Sequence, residues 1–283
     1  MVVDPSGGDP SGPASPSART AGQVGHAGAA PRAGQPADRP GSGPIPVAVD
    51  LGSARLRIWA ASRGTASTAT GQGPGHRSPV IRRGRVVDGP GCTALLGNLL
   101  RERPVPAGSV VVACRPVSAT AADQRAVQQV LTAVLAPDRL LFIDTVRAAA
   151  IGAGAATGSL LIADVGAQLT EVAFLADGQV VAAGRAEIGT RDGSGDGAED
   201  LLVATVVRLV NQLRRQPPGR RVAAAALARG LLVVGDGAAR PRLIAGLAGA
   251  LRTVVHPAAA PRTAALTGAG LAAMAAARHP GVG

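Results

Sequence analysis

The sequence is poor in aromatic residues, since its 283 positions include one Trp, two Phe and no Tyr. A core must therefore be built from Ala, Val, Leu and Ile, with Trp59, Phe142 and Phe174 as the available rings. Stacking on unpaired bases needs aromatic side chains, so no nucleic-acid partner is expected. The 46% of hydrophobic residues still supply enough apolar surface for a sizeable core, which excludes a wholly disordered chain.

Cysteine and long apolar runs are also scarce. Cys92 and Cys114 are the two cysteines; they lack metal-site spacing and are too few for a disulfide framework, which indicates a reducing compartment. No apolar stretch approaches the roughly 20 residues of a membrane span. The N-terminus shows no basic region followed by an apolar run, so no signal peptide is expected. The predicted location is the cytoplasm.

Lysine is missing, and all 29 basic residues are arginines, which against 18 acidic residues give a formal net charge of +11. The excess lies outside residues 1–44 and is densest in residues 77–103. Six arginines there are opposed by two acids: Arg77, Arg82, Arg83, Arg85, Arg101 and Arg103 against Asp88 and Glu102. Such a stretch attracts phosphate groups, for example those of an anionic membrane surface. A solvated face with arginine in place of lysine explains it equally well.

Residues 1–44 hold 8 Pro and 9 Gly and few branched apolar residues, so a disordered arm is predicted. Beyond the arm, strands and helices alternate. Exposed loops are expected at residues 62–78 and 190–197. Thr120 with Asp123 predicts a capping box ahead of a helix that stops before Pro137, and Asp177-Gly178 predicts a hairpin turn. Strands are expected at 46–50, 56–61, 109–114, 140–144, 160–164, 170–175, 179–185, 231–234 and 253–255, and further helices at 146–156, 201–214, 240–251 and 262–277.

One internal repeat organises this pattern. Val47-Ala48-Val49-Asp50-Leu51-Gly52 precedes a strand through Trp59, and Leu161-Ile162-Ala163-Asp164-Val165-Gly166 precedes a strand through Phe174. Each copy puts an Asp at the end of an apolar strand, then one residue, then a Gly at the start of a turn. A single copy is typical of an ordinary hairpin turn, whereas two copies in matching context indicate a duplicated, two-lobed protein.

The repeat has a chemical meaning. A carboxylate at a strand end can hold a hydrated Mg²⁺, and a following Gly lets backbone N–H groups approach phosphate oxygens. Two such turns that face each other could clamp a nucleotide triphosphate. A third segment, Val233-Val234-Gly235-Asp236-Gly237-Ala238, reads as strand, Gly-rich turn and helix, where an adenosine and its phosphates could lie at a helix N-terminus.

The ordered set of motifs resembles the actin-like ATPase superfamily, and within it the MreB family of bacterial cell shape-determining proteins. Asp50-Leu51-Gly52-Ser53, Asp164-Val165-Gly166 and Gly235-Asp236-Gly237 are similar to the phosphate-1, phosphate-2 and adenosine motifs of that superfamily. The resemblance runs over about residues 45–278. Supporting segments are 115–127, 148–154, 169–172, 229–231 and 262–270.

The resemblance implies an α/β, ribonuclease H-like duplicated fold with two lobes. The first lobe is expected at residues 45–157, completed by 258–283, and the second at 158–257. The outer subdomains of the family, IB and IIB, are expected to be missing, because only short segments follow each hairpin, which leaves IA and IIA. ATP and Mg²⁺ are the implied cofactors, with Mg²⁺ held through water by Asp50 and Asp164. The nucleotide-binding residues implied are Asp50, Gly52, Ser53, Arg55, Asp164, Gly166, Gly235, Asp236 and Gly237.

Two departures from the family bear on activity. The family has a water-positioning Glu before the AAAIGAG helix, and the matching residue here is Thr145, with Asp144 before it. A hydroxyl cannot accept the water proton as a carboxylate does, and loss of such a base costs roughly 10² to 10⁴ in rate. The phosphate-2 loop also carries Gln168, whose side chain takes up space a terminal phosphate would need. At most a weak ATPase is expected, with Asp144 as the substitute base.

The function that the resemblance implies is that of an MreB-like cytoskeletal or morphogenetic protein in cell shape or cell-wall organisation. Its partners would be further copies of itself, in a filament or oligomer, and cell-wall or division proteins. Two alternatives stay open. One is a phosphotransferase of the sugar or acetate kinase type from the same superfamily. The other is a membrane-surface adaptor that uses the arginines of residues 77–103.

Overall fold

The computed structural model describes residues 44–71, 79–102, 104–106, 108–193 and 197–279. The arm predicted at 1–44 lies outside these residues, apart from Pro44. The strands are β1 Pro46–Leu51, β2 Arg55–Ala60, β3 Gly64–Ala69, β4 Ile81–Arg82, β5 Arg85–Val86, β6 Val110–Arg115, β7 Arg139–Asp144, β8 Ser159–Val165, β9 Thr170–Ala176, β10 Gln179–Ala186, β11 Leu231–Val234 and β12 Val255–Pro257.

Seven α-helices connect these strands within the described residues. They are α1 Gly89–Glu102, α2 Ala121–Leu135, α3 Thr145–Gly152, α4 Gly197–Leu213, α5 Pro217–Arg229, α6 Pro241–Leu251 and α7 Ala264–Arg278. The predicted capping box at α2 is confirmed, with both Thr120 and Asp123 bonded reciprocally to backbone N–H groups. The hairpin turn is confirmed too, because Asp177 and Gly178 both adopt positive φ.

The strands form two five-stranded sheets of matching topology. The first has the order β3-β2-β1-β6-β7, and the second has the order β10-β9-β8-β11-β12. Each begins with an antiparallel meander and continues with parallel strands. The duplication inferred from the sequence repeat is therefore present in the strand order of the whole α/β fold.

The elements stack in five layers, in which α3 and α7 separate the two sheets. Alternation along β1 shows the arrangement: Val47 and Val49 join the core beneath α1 and α2, while Ala48 faces α7. Along β8, Leu161 and Ala163 face the core of α4, α5 and α6, and Leu160 and Ile162 face α3. Small residues on α3 and α7 let these two helices come into close contact.

The contact between α3 and α7 depends on two glycines. A Cβ on Gly152 would collide with the carbonyl of Ala264, and a Cβ on Gly268 would collide with the carbonyl of Ala148. Both backbones therefore approach more closely than any side chain allows. Because α3 packs on the second sheet and α7 on the first, this crossing fixes how the two sheets lie around the space between β1 and β8.

Two predictions about local structure are corrected. Residues 64–69, predicted as part of an exposed loop, form the edge strand β3, which pairs with β2 along its whole length. A strand at a sheet edge needs backbone hydrogen bonds rather than apolar side chains, so the small and polar run Gly-Thr-Ala-Ser-Thr-Ala gave little signal. The helix predicted to reach residue 156 ends at Gly152 because Gly154 adopts positive φ. The rest of the predicted loop, residues 72–78, lies outside the description.

Candidate functional site

The first acidic turn lies at the end of β1. Asp50 pairs across the hairpin with Arg57, and the guanidinium Nη1 lies 3.2 Å from the carboxylate Oδ2. Burial raises the pKa of Asp50, and the charge and hydrogen bond of Arg57 oppose that rise. The first carboxylate of the repeat is thus already held by a cation from its own hairpin.

The second acidic turn lies at the end of β8 and has a different cross-strand partner. Asp164 pairs with Glu171, which is only 4% exposed. The Glu171 carboxyl accepts a hydrogen bond from the Val117 N–H at 2.5 Å. Burial, with smaller contributions from the charges of Asp50 and Asp236, raises the pKa of Asp164 to about 7. Burial and then the charge of Asp164 raise the pKa of Glu171 to about 8. Ionisation of either Asp164 or Glu171 disfavours ionisation of the other, so the pair resists carrying two negative charges.

The two turns share the same backbone geometry. The Gly52 N–H donates to the Arg55 carbonyl at 3.1 Å, and the Gly166 N–H donates to the Leu169 carbonyl at 2.9 Å. A Cβ at these glycines would lie 2.9 Å and 3.1 Å from the same two carbonyl oxygens. Both turns are therefore too tight for a side chain to fit without a shift of the neighbouring carbonyl.

The two turns face one crevice. Asp50, Gly52, Asp164, Gly166 and Glu171 line the same cavity, whose volume is about 110 Å³. The predicted meeting of Asp50 and Asp164 is therefore present in the structure. Ligand pockets usually measure about 300 to 1,000 Å³, so the crevice as it stands is smaller than a nucleotide requires.

The third predicted motif borders the crevice only in part. Gly235 and Asp236 line it, and Gly235, at φ +80°, packs so closely on the Asp164 carboxylate that a Cβ would collide with it. Asp236 is held by Arg262, with Nε 2.9 Å from Oδ1. Gly237 lies in the core, where a Cβ would strike Val165 and Leu243. Residues 236–239 form a single 3₁₀ turn, and the helix predicted at 240–251 follows it as α6 from Pro241.

The tip of the β4–β5 hairpin enters the mouth of the crevice. Arg83 and Gly84 both have positive φ, as a two-residue hairpin turn of this hand requires. The Gly84 N–H donates to Ser53 Oγ at 3.0 Å in the first turn, and the Arg83 N–H donates to Gln168 Oε1 at 3.2 Å in the second. A Cβ on Gly84 would lie 2.8 Å from Pro116 Cγ and 3.0 Å from Leu169 Cδ2.

Arginines of the same hairpin bond to the segment that follows β10 and to α2. The Arg83 guanidinium donates to the Glu187 carbonyl and lies 3.2 Å from Asp192. Arg85 lies 3.4 Å from Glu187 and 3.6 Å from Asp123. We call the two turn residues Arg83 and Gly84 the hairpin latch.

The position of the predicted water-positioning residue is occupied by a hydroxyl that is already bonded. Thr145 lines the crevice, but its Oγ1 donates to the Arg115 carbonyl at 3.0 Å. Asp144 does not line this crevice. Its carboxylate lies 3.0 Å from Arg115 Nε and faces a separate cavity of about 410 Å³. Asp144 ends β7 and Thr145 begins α3, so the change from strand to helix separates the two side chains.

The two other predicted binding residues, Ser53 and Arg55, differ in how they lie at the crevice. Ser53 lines the crevice and its hydroxyl accepts the bond from the hairpin latch. Arg55 also borders the crevice, but its guanidinium donates to Ser67 of the edge strand at 3.1 Å. An arginine bonded outward in this way is not aimed at a β-phosphate in the present geometry.

Three contributors to the site were not predicted: Arg57, Glu171 and the hairpin latch. The first two could have been found from the repeat, because residues opposite each other in an antiparallel pair point to the same face. Arg57 and Glu171 each stand seven positions after the repeated Asp. The hairpin latch gives a weaker signal, an Arg-Gly dipeptide between two short strands.

The donor chemistry of the crevice suits a hydrated cation better than it suits a nucleotide. Carboxylates from both turns line it, and burial raises the pKa of both Asp50 and Asp164, so a bound cation would favour their ionised forms. Among the described residues, however, no three His, Cys, Asp or Glu side chains converge as a direct metal site would need. The implied Mg²⁺ would be held through water by Asp50 and Asp164, as the resemblance suggests.

Comparisons with known proteins agree with this geometry. The MreB/Mbl protein family model matches residues 79–194. MreB5 of Spiroplasma citri bound to AMPPNP superposes with a TM-score of 0.71 at 14% identity, over 84% of this chain and 99% of that chain. The chain has the actin-like fold and resembles MreB. The resemblance predicted from the motifs is confirmed.

Two further structures share the fold. The MamK double helical filament gives a TM-score of 0.63 at 14% identity, over 81% of this chain and 98% of that chain. EutJ from Carboxydothermus hydrogenoformans gives a TM-score of 0.55 at 18% identity, over 82% of this chain and 91% of that chain. No curated protein sequence matches the chain. At these identities the likeness establishes the actin-like fold, and activity has to be argued from the site.

None of the helices in the described part of the chain combines the length and the apolar character that crossing a bilayer demands.

Proposed function

We propose that the protein is an MreB-like cytoskeletal or morphogenetic scaffold of a cell-shape or cell-wall system, which binds ATP weakly and hydrolyses it poorly. The observation that carries this proposal is the hairpin latch across the mouth of an otherwise family-like crevice. The two acidic turns retain the backbone of a phosphate clamp. The space between them is occupied by the chain itself.

Weak binding follows from the contacts that a nucleotide would have to displace. Its phosphates would need the space at Gln168 and Ser53, both of which now bond to the hairpin latch. Opening also breaks the ion pair between Arg83 and Asp192. A nucleotide therefore binds only the fraction of molecules with an open crevice, which lowers its apparent affinity by that fraction.

Poor hydrolysis follows from Thr145. Its hydroxyl is committed to the Arg115 carbonyl, and Asp144 faces another cavity. Glu171 also lines the crevice, but it accepts a hydrogen bond from the Val117 N–H, and its raised pKa keeps it largely protonated near neutral pH. Thr145, Asp144 and Glu171 therefore do not supply a base to an attacking water in the crevice.

The scaffold role rests on assembly. The MamK structure is that of a double helical filament, and this chain shares its fold. We infer self-association into a filament or oligomer, with cell-wall or division proteins as further partners and the cytoplasm as the location.

The phosphotransferase alternative needs a substrate-binding insertion. Among the described residues, the segment between β3 and α1 holds only the β4–β5 hairpin, and that between β10 and α4 holds no regular element.

The test is titration calorimetry of the full chain with ATP and Mg²⁺, in parallel with Asp164→Ala. Asp200→Ala is the matched control, since that acid is exposed on α4. Weak binding to the native chain and the control, lost in Asp164→Ala, is expected. Sedimentation with and without AMPPNP reports assembly on the same samples. Binding that Asp164→Ala leaves unchanged would contradict the clamp, and a native chain that stays monomeric under all conditions would contradict the scaffold.

A further inference from the structure

The first sheet ends at β3, and no strand of the described part of the chain lies beyond it. β3 runs over six residues, Gly64–Ala69, and pairs with β2 in an unbroken antiparallel register. A strand at such an edge presents backbone N–H and C=O groups that its own sheet does not pair. Natural edges are normally blunted by charge, proline, a bulge or short length, so an edge without these devices is open to pairing with another chain.

The three other edges of the two five-stranded sheets carry such devices. β7 begins with Arg139 and ends with Asp144. β10 contains Arg185 and has an irregular register near its start. β12 has three residues and ends at Pro257, which has no N–H to donate. β3, with the sequence Gly-Thr-Ala-Ser-Thr-Ala, has no charge, no proline and no break in its register.

The two faces of β3 differ in what they present. Ala66 packs against the core beneath α1, and so does Leu95 of that helix, but both side chains are only partly buried. On the opposite face, Ser67 is exposed and accepts a hydrogen bond from Arg55 Nη2 at 3.1 Å. Because neighbouring residues of a strand point to opposite faces, a strand added beside β3 would place its side chains alternately over an apolar rim and beside a guanidinium.

The chain around this edge is positively charged. Residues 51–87 contain seven arginines and no acidic residue. In β2 and the turn that leads to β3, Arg55 and Arg63 are exposed, while Arg57 is paired with Asp50. An added strand with acidic side chains matches this charge, whereas one with basic side chains is repelled. A second copy of β3 would bring two Arg55 side chains together, which disfavours self-pairing at this edge.

We propose that the β3 edge receives an extended segment of a partner protein in which acidic residues alternate with small apolar ones. The segment adds a sixth strand to the first sheet. Backbone hydrogen bonds to β3 supply the affinity, and the alternating side chains supply the specificity. The acidic side chains lie beside Arg55 on the exposed face, and the apolar side chains extend the rim at Ala66. This role does not depend on nucleotide binding in the crevice.

The experiment measures the binding of labelled peptides to the full chain by fluorescence anisotropy. The probe is an eight-residue peptide of alternating Glu and Val. One control peptide has four Glu followed by four Val, which keeps the composition without the alternation, and a second has Lys in place of Glu. Arg55→Glu reverses the charge beside β3, and Arg125→Glu, at an exposed position on α2, is the matched control. Hydrogen exchange over residues 64–69 locates the bound peptide.

The native chain and Arg125→Glu are expected to bind the alternating Glu peptide and to show slower exchange at residues 64–69 when it is bound. Arg55→Glu should bind this peptide at least about twofold more weakly, as for the loss of an exposed ion pair, and should bind the Lys peptide more tightly than the native chain does. Circular dichroism checks that both variants are folded.

Four results would overturn the proposal. They are no binding by the native chain, equal binding of the alternating and block peptides, protection that falls outside residues 64–69, and equal losses in Arg55→Glu and Arg125→Glu, which would show that net charge alone acts. A single-stranded DNA that protects residues 64–69 more strongly than the peptide would also overturn it, in favour of a nucleic-acid partner.

Discussion

Glu171 stands directly opposite Asp164 in the β8–β9 hairpin, and both side chains face the crevice. In the first copy of the repeat the same place is taken by Arg57, opposite Asp50. The first hairpin thus presents an acid opposite a base, and the second hairpin presents two acids opposite each other. The raised pKa values of Asp164 and Glu171 favour protonation of this second pair, so we expect the stability of the crevice to depend on pH.

Replacing Glu171 by Gln should remove part of that dependence. The folded pKa of Glu171 is raised to about 8 from a usual value of 4.5, so the native state binds more protons than the unfolded chain between these values. Stability is then lost as pH rises through that window. Gln stays neutral and can still accept the Val117 N–H. Between pH 5 and pH 9 we expect Glu171→Gln to gain roughly 1 to 4 kcal/mol over the native chain.

The measurement is urea unfolding of both proteins at several pH values. Glu102→Gln is the control, because that acid is exposed at the end of α1. A difference between Glu171→Gln and native protein that does not change with pH would show that Glu171 is ionised throughout.

A methyl group at the tip of the hairpin latch should dislodge it. Gly84 has φ +73°, and a Cβ there would press on Pro116 and Leu169. Gly64 has φ +70° with nothing within 4 Å, so Gly64→Ala carries the backbone strain alone. We expect Gly84→Ala to cost at least about 1 kcal/mol more than Gly64→Ala.

Hydrogen exchange over residues 80–88 provides the readout for the latch. Faster exchange in Gly84→Ala than in Gly64→Ala is expected, together with a gain in ATP affinity if the latch competes with nucleotide. Equal stability and equal exchange in the two variants would mean that the hairpin tip is not seated in the crevice.

The crossing of α3 and α7 should not tolerate a side chain. A Cβ on Gly268 would strike the Ala148 carbonyl, whereas one on Gly97 in α1 would meet open space. Gly268→Ala should cost about 3 kcal/mol or more by overpacking. Gly97→Ala should instead stabilise its helix by about 0.5 to 1 kcal/mol. Thermal unfolding of both variants compares them, and a Gly268→Ala protein as stable as Gly97→Ala would show that the helices cross less closely.

The fold could be predicted because its signals are local and repeated. In the strand–Asp–x–Gly pattern around Asp50 and Asp164, each Gly lies close to a carbonyl oxygen three residues on and donates a hydrogen bond to it. The capping box at Thr120 is likewise a contact between residues three positions apart. Such features are fixed by neighbouring residues, so they are visible in the sequence.

The position of the hairpin latch in the crevice could not be predicted, because it depends on contacts between residues far apart in the sequence. Arg83 meets Gln168 across 85 positions, and Arg83 meets Asp192 across 109. Nothing in the composition of residues 77–103 distinguishes arginines that bind carboxylates of the other lobe from arginines that face solvent. Asp144 and Thr145 differ for a related reason: which of two neighbours faces the crevice depends on where β7 ends.

The measurement that tests the account most directly is steady-state phosphate release from ATP and Mg²⁺ by the full chain, alongside Thr145→Val. The account predicts slow release by the native chain and the same rate in Thr145→Val, which replaces the hydroxyl bonded to the Arg115 carbonyl by a methyl group. Sustained turnover by the native protein that falls tenfold or more in Thr145→Val would contradict it, since the hydroxyl would then be acting on the attacking water.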